Sequence, residues 1–109
     1  LGYAIRGTMF PLARFRVYDR SMEPTLHSGD YVIVNKWAYR TKDPQPGDIV
    51  VLRNPEATQR FLVKRIMSGD RSFGYFALGD NLTHSRDSRQ FGMVPMHLIV
   101  GKVRYRARA

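Results

Sequence analysis

The chain has 109 residues, of which 43% are apolar, no cysteine, and a formal net charge of +9. This length leaves room for one domain with a modest core, and the composition is that of an ordinary globular protein rather than a disordered one. Without cysteine, a disulfide framework, a Cys-based zinc site and a thiol nucleophile are all excluded.

The positive charge has three possible explanations: a solvated basic surface, a surface that attracts anionic lipid headgroups, or a nucleic-acid-binding surface. The basic residues are scattered, apart from a mild cluster at Lys102, Arg104, Arg106 and Arg108, and the aromatic residues form no RNA-binding signature. We therefore expect no nucleic-acid partner. A solvated surface is the first interpretation, and an anionic membrane surface is the second.

The N-terminal segment, 1–14, is apolar in patches that Arg6 and Arg14 interrupt. It can pack as a lead-in to the domain or lie along a membrane surface. No run in the chain approaches the roughly 18 apolar residues that crossing a membrane requires. We therefore expect any spanning helix to precede Leu1. Since the chain does not begin with Met, we also expect it to be a processed or trimmed form.

Short strands separated by turn residues follow, which is typical of a mainly β protein. Turn residues cluster, for example, at 29–30 and 44–48. We predict a single compact domain over 1–109 with a curved sheet, and short helical turns before Ser21 and near Met96. The predicted strands are 15–18, 31–35, 49–52, 60–67, 73–78 and 98–105.

Ser21 lies at a predicted tight turn. Pro24 restricts the local backbone, and Gly29 and Asp30 turn the chain into the next strand. A serine hydroxyl is a poor nucleophile unless a base lies within hydrogen-bond reach. The alternative is that Ser21 caps the start of a helix, and for this serine in isolation capping is the more ordinary interpretation.

Lys64 is the candidate base. In an extended strand alternate residues share a face, so Leu62, Lys64 and Ile66 are expected to point the same way. Apolar neighbours desolvate an amine and lower its pKa toward the range that suits a base. The alternative is a lysine on an edge strand whose amine reaches solvent. Arg65, on the opposite face, is predicted to be an ordinary structural or solvated arginine.

The segment 79–89 is polar and dense in hydrogen-bonding groups. Ser85 could bond the lysine amine and direct it toward Ser21. Asp87 and Arg89 could form a short-range ion pair that fixes the loop. The alternative is a plain surface loop with an Asx-turn.

The three histidines lack metal-ligand spacing, and the glycines form no phosphate-binding loop. We therefore expect neither a metal nor an organic cofactor. Spacing alone leaves a histidine-based triad open, although no histidine has neighbours as favourable as those of Lys64.

Four motifs follow one another between Ser21 and Pro95. They are Ser-Met-x-Pro-Thr-Leu-x-x-Gly-Asp, Pro-Gly-Asp-Ile-Val-Val, Lys-Arg-Ile, and Gly-Asp-Asn followed by Ser-x-Asp-Ser-Arg-x-Phe-Gly-x-Val-Pro. Together they resemble the type I signal peptidase family of Ser/Lys endopeptidases. The resemblance implies the β-rich catalytic core of that family.

Only 14 residues separate Lys64 from Gly79. Large bacterial signal peptidases insert a second β domain there, so the resemblance implies a short form without it. This form is similar to the mitochondrial inner-membrane peptidases and to the maturation proteases of nickel-type superoxide dismutase.

The resemblance also implies roles for individual residues. Ser21 matches the nucleophile, Lys64 the general base, Ser85 the serine that orients the lysine, and Asp87 with Arg89 the supporting pair.

The resemblance further implies an oxyanion hole and a substrate pocket near Ser21. The backbone N–H of Ser21 would be one oxyanion donor, and Met22 matches the residue at the substrate pocket. Two residues before the nucleophile the family usually has Gly or Ser, whereas this chain has Asp19. An ionised carboxylate cannot donate to an oxyanion, so this position departs from the family pattern.

The expected function is that of a serine endopeptidase that removes an N-terminal signal or leader peptide from a precursor protein. By resemblance, the substrate would be extended, with small side chains just before the cut. A dedicated maturation protease of nickel-type superoxide dismutase is the alternative. From other classes, a LexA-type self-cleaving regulator and a non-catalytic peptide- or lipid-binding domain remain open. With an upstream anchor we expect a membrane protein whose catalytic domain lies on the outer (trans) face, and otherwise a cytoplasmic one.

Overall fold

Seven strands of the computed structural model, which describes residues 2–3 and 11–108, form one antiparallel sheet. Along this sheet the strand order is β1-β2-β3-β7-β4-β5-β6. The strands are β1 Gly2–Tyr3, β2 Leu12–Arg16, β3 Tyr31–Asn35, β4 Ile49–Asn54, β5 Ala57–Asp70, β6 Gly74–Leu78 and β7 Ile99–Ala107. The prediction of a mainly β fold is therefore confirmed.

Helical structure in the described chain is limited to short pieces. Helix α1 is Ser88–Phe91, and two 3-10 turns lie at Leu82–His84 and Met96–Leu98. The helical turn predicted near Met96 is thus present. The turn predicted before Ser21 is wrong, because the turn residues begin at Ser21 and the Leu26 N–H donates to the Met22 carbonyl at 2.9 Å.

The central strands are buried on both faces, which explains their nearly continuous apolar sequence. On β4, Val51 packs into a cluster with the inward side chains of β2 and β3, whereas Val50 and Leu52 pack into a second cluster on the opposite face. On β5, Val63 joins the first cluster and Ile66 the second. The faces of β5 therefore alternate as the sequence predicts.

Strand β2 begins and ends earlier than the predicted strand 15–18. Ala13 and Phe15 point into the first cluster and pair with β3 in the register Ala13↔Val34 and Phe15↔Val32. Leu12–Arg16 therefore includes three residues that we had placed in the N-terminal segment. Residues 1 and 4–10 of that segment lie outside the described residues.

Strand β5 is longer than predicted because it forms hairpins at both ends. It pairs with β4 from Ile49↔Arg65 to Asn54↔Ala57, and with β6 from Arg65↔Leu78 to Asp70↔Gly74. Lys64 lies opposite Val50, one pair in from the Ile49↔Arg65 end of the β4 pairing. No helix within the described residues has both the length and the apolar character that a membrane span needs.

Candidate active site

The turn that carries Ser21 is anchored in the core. Met22 and Leu26 are buried in the first cluster, and Ser21 itself is 3% exposed. Behind the turn, the N–H of Val17 donates to the carbonyl of Asp30 at 2.8 Å. The side chain of Met22 is fully buried, so it supports the turn from within, and its predicted contact with substrate stays a prediction.

Asp19 accepts hydrogen bonds from both donor groups of Ser21. The Ser21 N–H and the Ser21 hydroxyl donate to the same oxygen, Asp19 Oδ1, at 3.0 and 2.9 Å. The N–H that we expected to serve as an oxyanion donor is therefore engaged by a carboxylate. The hydroxyl of Ser21 donates to Asp19 rather than to Lys64.

Lys64 is buried, as its alternation with Leu62 and Ile66 predicts. It is 2% exposed, and its Nζ donates to Ser85 Oγ at 3.1 Å. Burial is the largest influence on the pKa of Lys64 and lowers it below its usual value. The carboxylates of Asp19 and Asp87 act in the opposite direction, so they limit the fall in this pKa without cancelling it.

Asp87 organises the loop around Ser85. Its Oδ2 accepts the Ser85 hydroxyl at 2.7 Å and the Gly79 N–H at 2.9 Å, and Arg89 Nε donates to Oδ1 at 2.9 Å. The predicted ion pair between Asp87 and Arg89 is therefore present. Burial alone would raise the pKa of Asp87, but the hydrogen bonds from Arg89, Gly79 and Ser85 outweigh it and hold that pKa far below its usual range.

Asp87 also caps helix α1. Its side chain accepts from the Arg89 N–H, and the Gln90 side-chain oxygen accepts from the Asp87 N–H, which completes a capping box. One carboxylate thus joins the end of β6, the Ser85 loop and the start of α1. The loop therefore makes more hydrogen bonds through Asp87 than a single Asx-turn would.

Gly79 lies between the two serines. A Cβ added there would come within 2.2 Å of Ser85 Oγ and 2.6 Å of the Ser21 carbonyl oxygen. Next along the chain, the Asn81 N–H donates to that same carbonyl at 2.8 Å. The absence of a side chain at Gly79 allows the Ser21 turn and the Ser85 loop to meet.

Arg65 is part of a network that the sequence did not predict. Its Nε and Nη2 donate to the two carboxylate oxygens of Asp80, both at 2.8 Å. Asp80 also accepts the Thr25 hydroxyl at 2.5 Å. The network ties β5 to the turn that begins at Ser21, so of the two roles predicted for Arg65 the structural one is present.

A cavity of about 400 Å³ opens beside Asp19. Its lining is mostly polar and comes largely from the hairpin between β4 and β5. The lining residues are Asp19, Asn54, Gln59, Arg60, Phe61 and Leu62.

The described residues include no group of three or more His, Asp or Glu side chains placed to hold a metal ion. The polar groups that lie close together around Lys64 are instead a serine, carboxylates and an arginine. This combination suits proton transfer and nucleophilic attack.

Comparison with known proteins places this chain in a family. The chain matches the family described as signal peptidase, peptidase S26, over residues 1–71 and 73–107. It belongs to this family. The resemblance of the four motifs to type I signal peptidases is thereby confirmed, and the family is one of serine peptidases of the signal peptidase type.

Named relatives within the peptidase S26 family include mitochondrial and bacterial proteins. The chain is 39% identical to the mitochondrial ATP-independent inner membrane protease subunit 1b of Arabidopsis thaliana, over 82% of this chain and 66% of that protein. It is 38% identical to the mitochondrial inner membrane protease subunit 1 of Schizosaccharomyces pombe, over 76% and 65%. It is also 33% identical to signal peptidase I of Haemophilus influenzae, over 81% of this chain and 27% of that protein. The chain thus spans less than two thirds of each of these relatives.

Proposed function

We propose that this member of the peptidase S26 family is a serine endopeptidase over 1–109, with Ser21 as nucleophile and Lys64 as general base. The observation that carries the proposal is that Lys64 is 2% exposed and its amine donates to Ser85. Burial lowers the pKa of that amine, and the neutral amine is the form that accepts a proton.

The chemistry runs in two steps. Ser21 Oγ forms a bond to the scissile carbonyl carbon while its proton passes to the neutral amine of Lys64. When the tetrahedral intermediate collapses, the C–N bond breaks and the Lys64 ammonium returns the proton to the leaving amine. Water then attacks the acyl-enzyme, with Lys64 again accepting a proton, and this step releases the carboxylate product and free Ser21.

Ser85, Asp87 and Arg89 act as positioning residues in this proposal. Because Asp87 accepts the hydroxyl proton of Ser85, the oxygen of Ser85 is free to accept an N–H from Lys64. An amine that donates in this direction keeps its lone pair for a second partner. Arg89 in turn fixes Asp87 through its guanidinium.

The proposed substrate is a precursor protein with an N-terminal signal or leader peptide. The printed names of the relatives, signal peptidase I and mitochondrial inner membrane protease, favour this class of substrate. A nickel superoxide dismutase precursor is the second candidate, because only 14 residues lie between Lys64 and Gly79.

A membrane surface is the proposed place of action. Arg14 and Arg16 project from β2 over the ring of Tyr31, with guanidinium carbons 4.8 and 5.5 Å from the ring centre. A face of arginine and tyrosine suits the headgroup region of an anionic bilayer. Arg14→Gln with Arg16→Gln should weaken binding to anionic vesicles and leave binding to zwitterionic vesicles unchanged. Equal binding of both proteins to anionic vesicles would contradict this role.

Cleavage of two precursors, read by mass spectrometry, tests the proposal. One is a secretory precursor with small residues before the cut, with and without lipid, and the other is a nickel superoxide dismutase precursor. Ser21→Ala and Lys64→Ala should each abolish cleavage. The matched controls are Ser28→Ala and Lys42→Ala, because both side chains are exposed and lie outside the site. Lys64→Arg should also be inactive, since an arginine does not give up its proton near neutral pH.

The outcomes separate the remaining alternatives. Retained cleavage in Ser21→Ala or Lys64→Ala would remove the dyad. Cleavage of this chain by itself, with neither precursor cut, would favour a self-cleaving regulator. Binding of leader peptides or lipid without any cleavage would favour a non-catalytic domain.

A further inference from the structure

One oxygen of Asp19 occupies both groups of Ser21 on which acyl transfer depends. Asp19 Oδ1 accepts the Ser21 N–H at 3.0 Å and the Ser21 hydroxyl at 2.9 Å. The hydroxyl has a single proton, so while it is donated to Asp19 it is not directed at Lys64. In this arrangement the nucleophile is bound to a carboxylate.

The bound arrangement conflicts with each stage of acylation. A tetrahedral intermediate carries negative charge on the former carbonyl oxygen, and backbone N–H groups near the nucleophile stabilise that charge. The Ser21 N–H already has an anionic oxygen beside it in Asp19. The oxyanion of the intermediate would have to share the Ser21 N–H with Asp19 Oδ1, and the Asp19 carboxylate would repel it.

We propose that Asp19 is a gate, which must leave Ser21 before the peptidase can acylate. This inference rests on the proposed function of Ser21 and Lys64. In the closed state the Asp19 carboxylate fills the place that the substrate carbonyl oxygen would take. In the open state the Ser21 N–H faces the substrate and the hydroxyl turns to Lys64.

A cavity next to Asp19 could receive the carboxylate in the open state. Asp19 lines the cavity of about 400 Å³, and Arg60 lines the same cavity from β5. In the open state the Asp19 carboxylate turns into this cavity, whose lining also includes Arg60 and the amide side chains of Asn54 and Gln59. An opposite charge in the cavity compensates for the two hydrogen bonds that opening breaks.

A gate of this kind acts on the nucleophile before any substrate contact is made. A small activated ester, 4-nitrophenyl acetate, is therefore a suitable probe, because it reports acylation of Ser21 without leader-peptide binding. The readouts are the burst of 4-nitrophenol and the acetylated Ser21 peptide in the mass spectrum, followed by kcat and KM for precursor cleavage.

The test compares Asp19→Ser and Asp19→Asn with the wild-type chain. Serine removes the carboxylate, so Asp19→Ser should acylate about 10-fold faster and raise kcat more than it changes KM. Asparagine keeps an oxygen acceptor for the N–H and the hydroxyl of Ser21 but loses the charge. The acylation rate of Asp19→Asn should therefore lie between those of the wild type and Asp19→Ser. Asp43→Ser is the matched control, since Asp43 is exposed and pairs with Arg71 rather than with Ser21, and it should match the wild type.

The pH profile gives an independent readout. Ser85, Asp19, Asp87 and Arg89 are the polar and charged groups that act on Lys64, and the Asp19 charge raises its pKa. Removing that charge should move the acid limb of the acylation profile to lower pH in both Asp19 variants. This shift follows from the charge alone, so the gate itself is judged by the acylation rate on the pH plateau, and an unmoved limb would contradict the action of the Asp19 charge on Lys64.

Arg60→Gln tests the open state. It should slow acylation in the wild-type background and have no effect in the Asp19→Ser background, because the gate is then absent. An equal effect in both backgrounds would overturn Arg60 as the receiving group.

The results separate this inference from the function on which it rests. One outcome is that Ser21 is acylated in all of these proteins, thermal unfolding is unchanged, and neither Asp19→Ser nor Asp19→Asn is acylated faster than the wild type. The gate is then overturned, and the assignment of Ser21 as nucleophile stands. If Ser21 is acylated in none of them, the proposed function falls, and the gate falls with it.

Discussion

The carboxylate of Asp87 accepts the hydroxyl proton of Ser85 at 2.7 Å. This bond sets the direction in which Ser85 faces, because a hydroxyl that donates to one side presents its lone pairs to the other. The amine of Lys64 donates to those lone pairs. A fully buried carboxylate that does not touch Lys64 by a hydrogen bond therefore controls the orientation of the proposed base.

Asp87→Asn should lower both stability and activity. The folded-state pKa of Asp87 lies well below the unfolded value of 3.8, so its contribution to stability is complete above that value and is lost as pH falls below it. We expect a loss of about 2 kcal/mol in the free energy of unfolding above pH 5, since the buried carboxylate loses its charge-assisted hydrogen bonds. Urea unfolding of both proteins from pH 6 to pH 2 should show the difference narrowing as pH falls.

The control for this prediction is Asp43→Asn, which removes an exposed carboxylate that pairs with Arg71 on the surface. It should change stability little at any pH. A stability difference between Asp87→Asn and the wild type that stays constant down to pH 2 would contradict the assigned pKa shift of Asp87.

Lys64→Met should abolish cleavage and stabilise the fold. A methionine of similar volume removes a buried amine, and we expect a gain of about 1 kcal/mol at neutral pH. The folded-state pKa of Lys64 lies below the unfolded value of 10.5. The unfolded chain therefore binds more protons between these two values, and wild-type stability rises with pH in that interval. The advantage of Lys64→Met should accordingly shrink toward pH 10.5 in denaturant titrations.

Lys42→Met is the matched control, because the Lys42 side chain is exposed. It should leave both cleavage and the pH dependence of unfolding unchanged. The opposite result, a Lys64→Met protein less stable than the wild type at neutral pH, would contradict this prediction. It would show that the buried amine stabilises the fold by more than its hydrogen bond to Ser85 indicates.

Gly79→Ala should inactivate the peptidase. The new Cβ would overlap with Ser85 Oγ and the Ser21 carbonyl, so the two loops must separate. A displacement of the reacting groups by about 1 Å costs on the order of 100-fold in rate. We expect at least this loss in precursor cleavage. Gly47→Ala is the comparison, since Gly47 has φ +94° and no atom within 4 Å of a built Cβ. It should lower stability by about 1 kcal/mol and keep the cleavage rate.

Arg65→Lys should weaken the connection between β5 and the Ser21 turn. An ammonium cannot reproduce the two parallel bonds to Asp80, so we expect a loss of about 1 kcal/mol in stability and slower cleavage. Arg86→Lys is a matched control. Arg86 makes the same two-bond contact with Glu56, but on the exposed surface. Thermal unfolding and cleavage should both separate the two variants, and equal effects would show that the Asp80 network has no special role.

The sequence predicts the local features of this fold well. The β-branched run 31–35, bounded by Gly29 and Asp30, becomes a strand with the predicted bounds, because its alternating valines fit a half-buried pleated surface. The burial of Lys64 follows from the same period of two. The ion pair between Asp87 and Arg89 follows from their closeness in sequence.

Contacts between distant segments were not predictable in the same way. Thr25 and Asp80 are 55 residues apart, and the hydroxyl of the first donates to the carboxylate of the second. No local pattern carries that information. The contact of Asp19 with Ser21 is different, since an aspartate that accepts from the N–H two residues on is an ordinary Asx-turn. The departure at Asp19 was visible in the sequence, but its hold on the Ser21 hydroxyl required the structure.

Strand β7, the last in the described residues, lies in the middle of the sheet. Strand β7 pairs with β3 on one side and with β4 on the other, in registers that include Val34↔Val103 and Val50↔Lys102. Ser21 precedes β3 and Lys64 lies beyond β4, so these two side chains belong to halves that β7 joins. During synthesis on the ribosome, the sheet cannot close around them until residues 99–107 have emerged. A partly made chain without β7 would therefore carry the proposed nucleophile and the proposed base in two halves that are not yet joined.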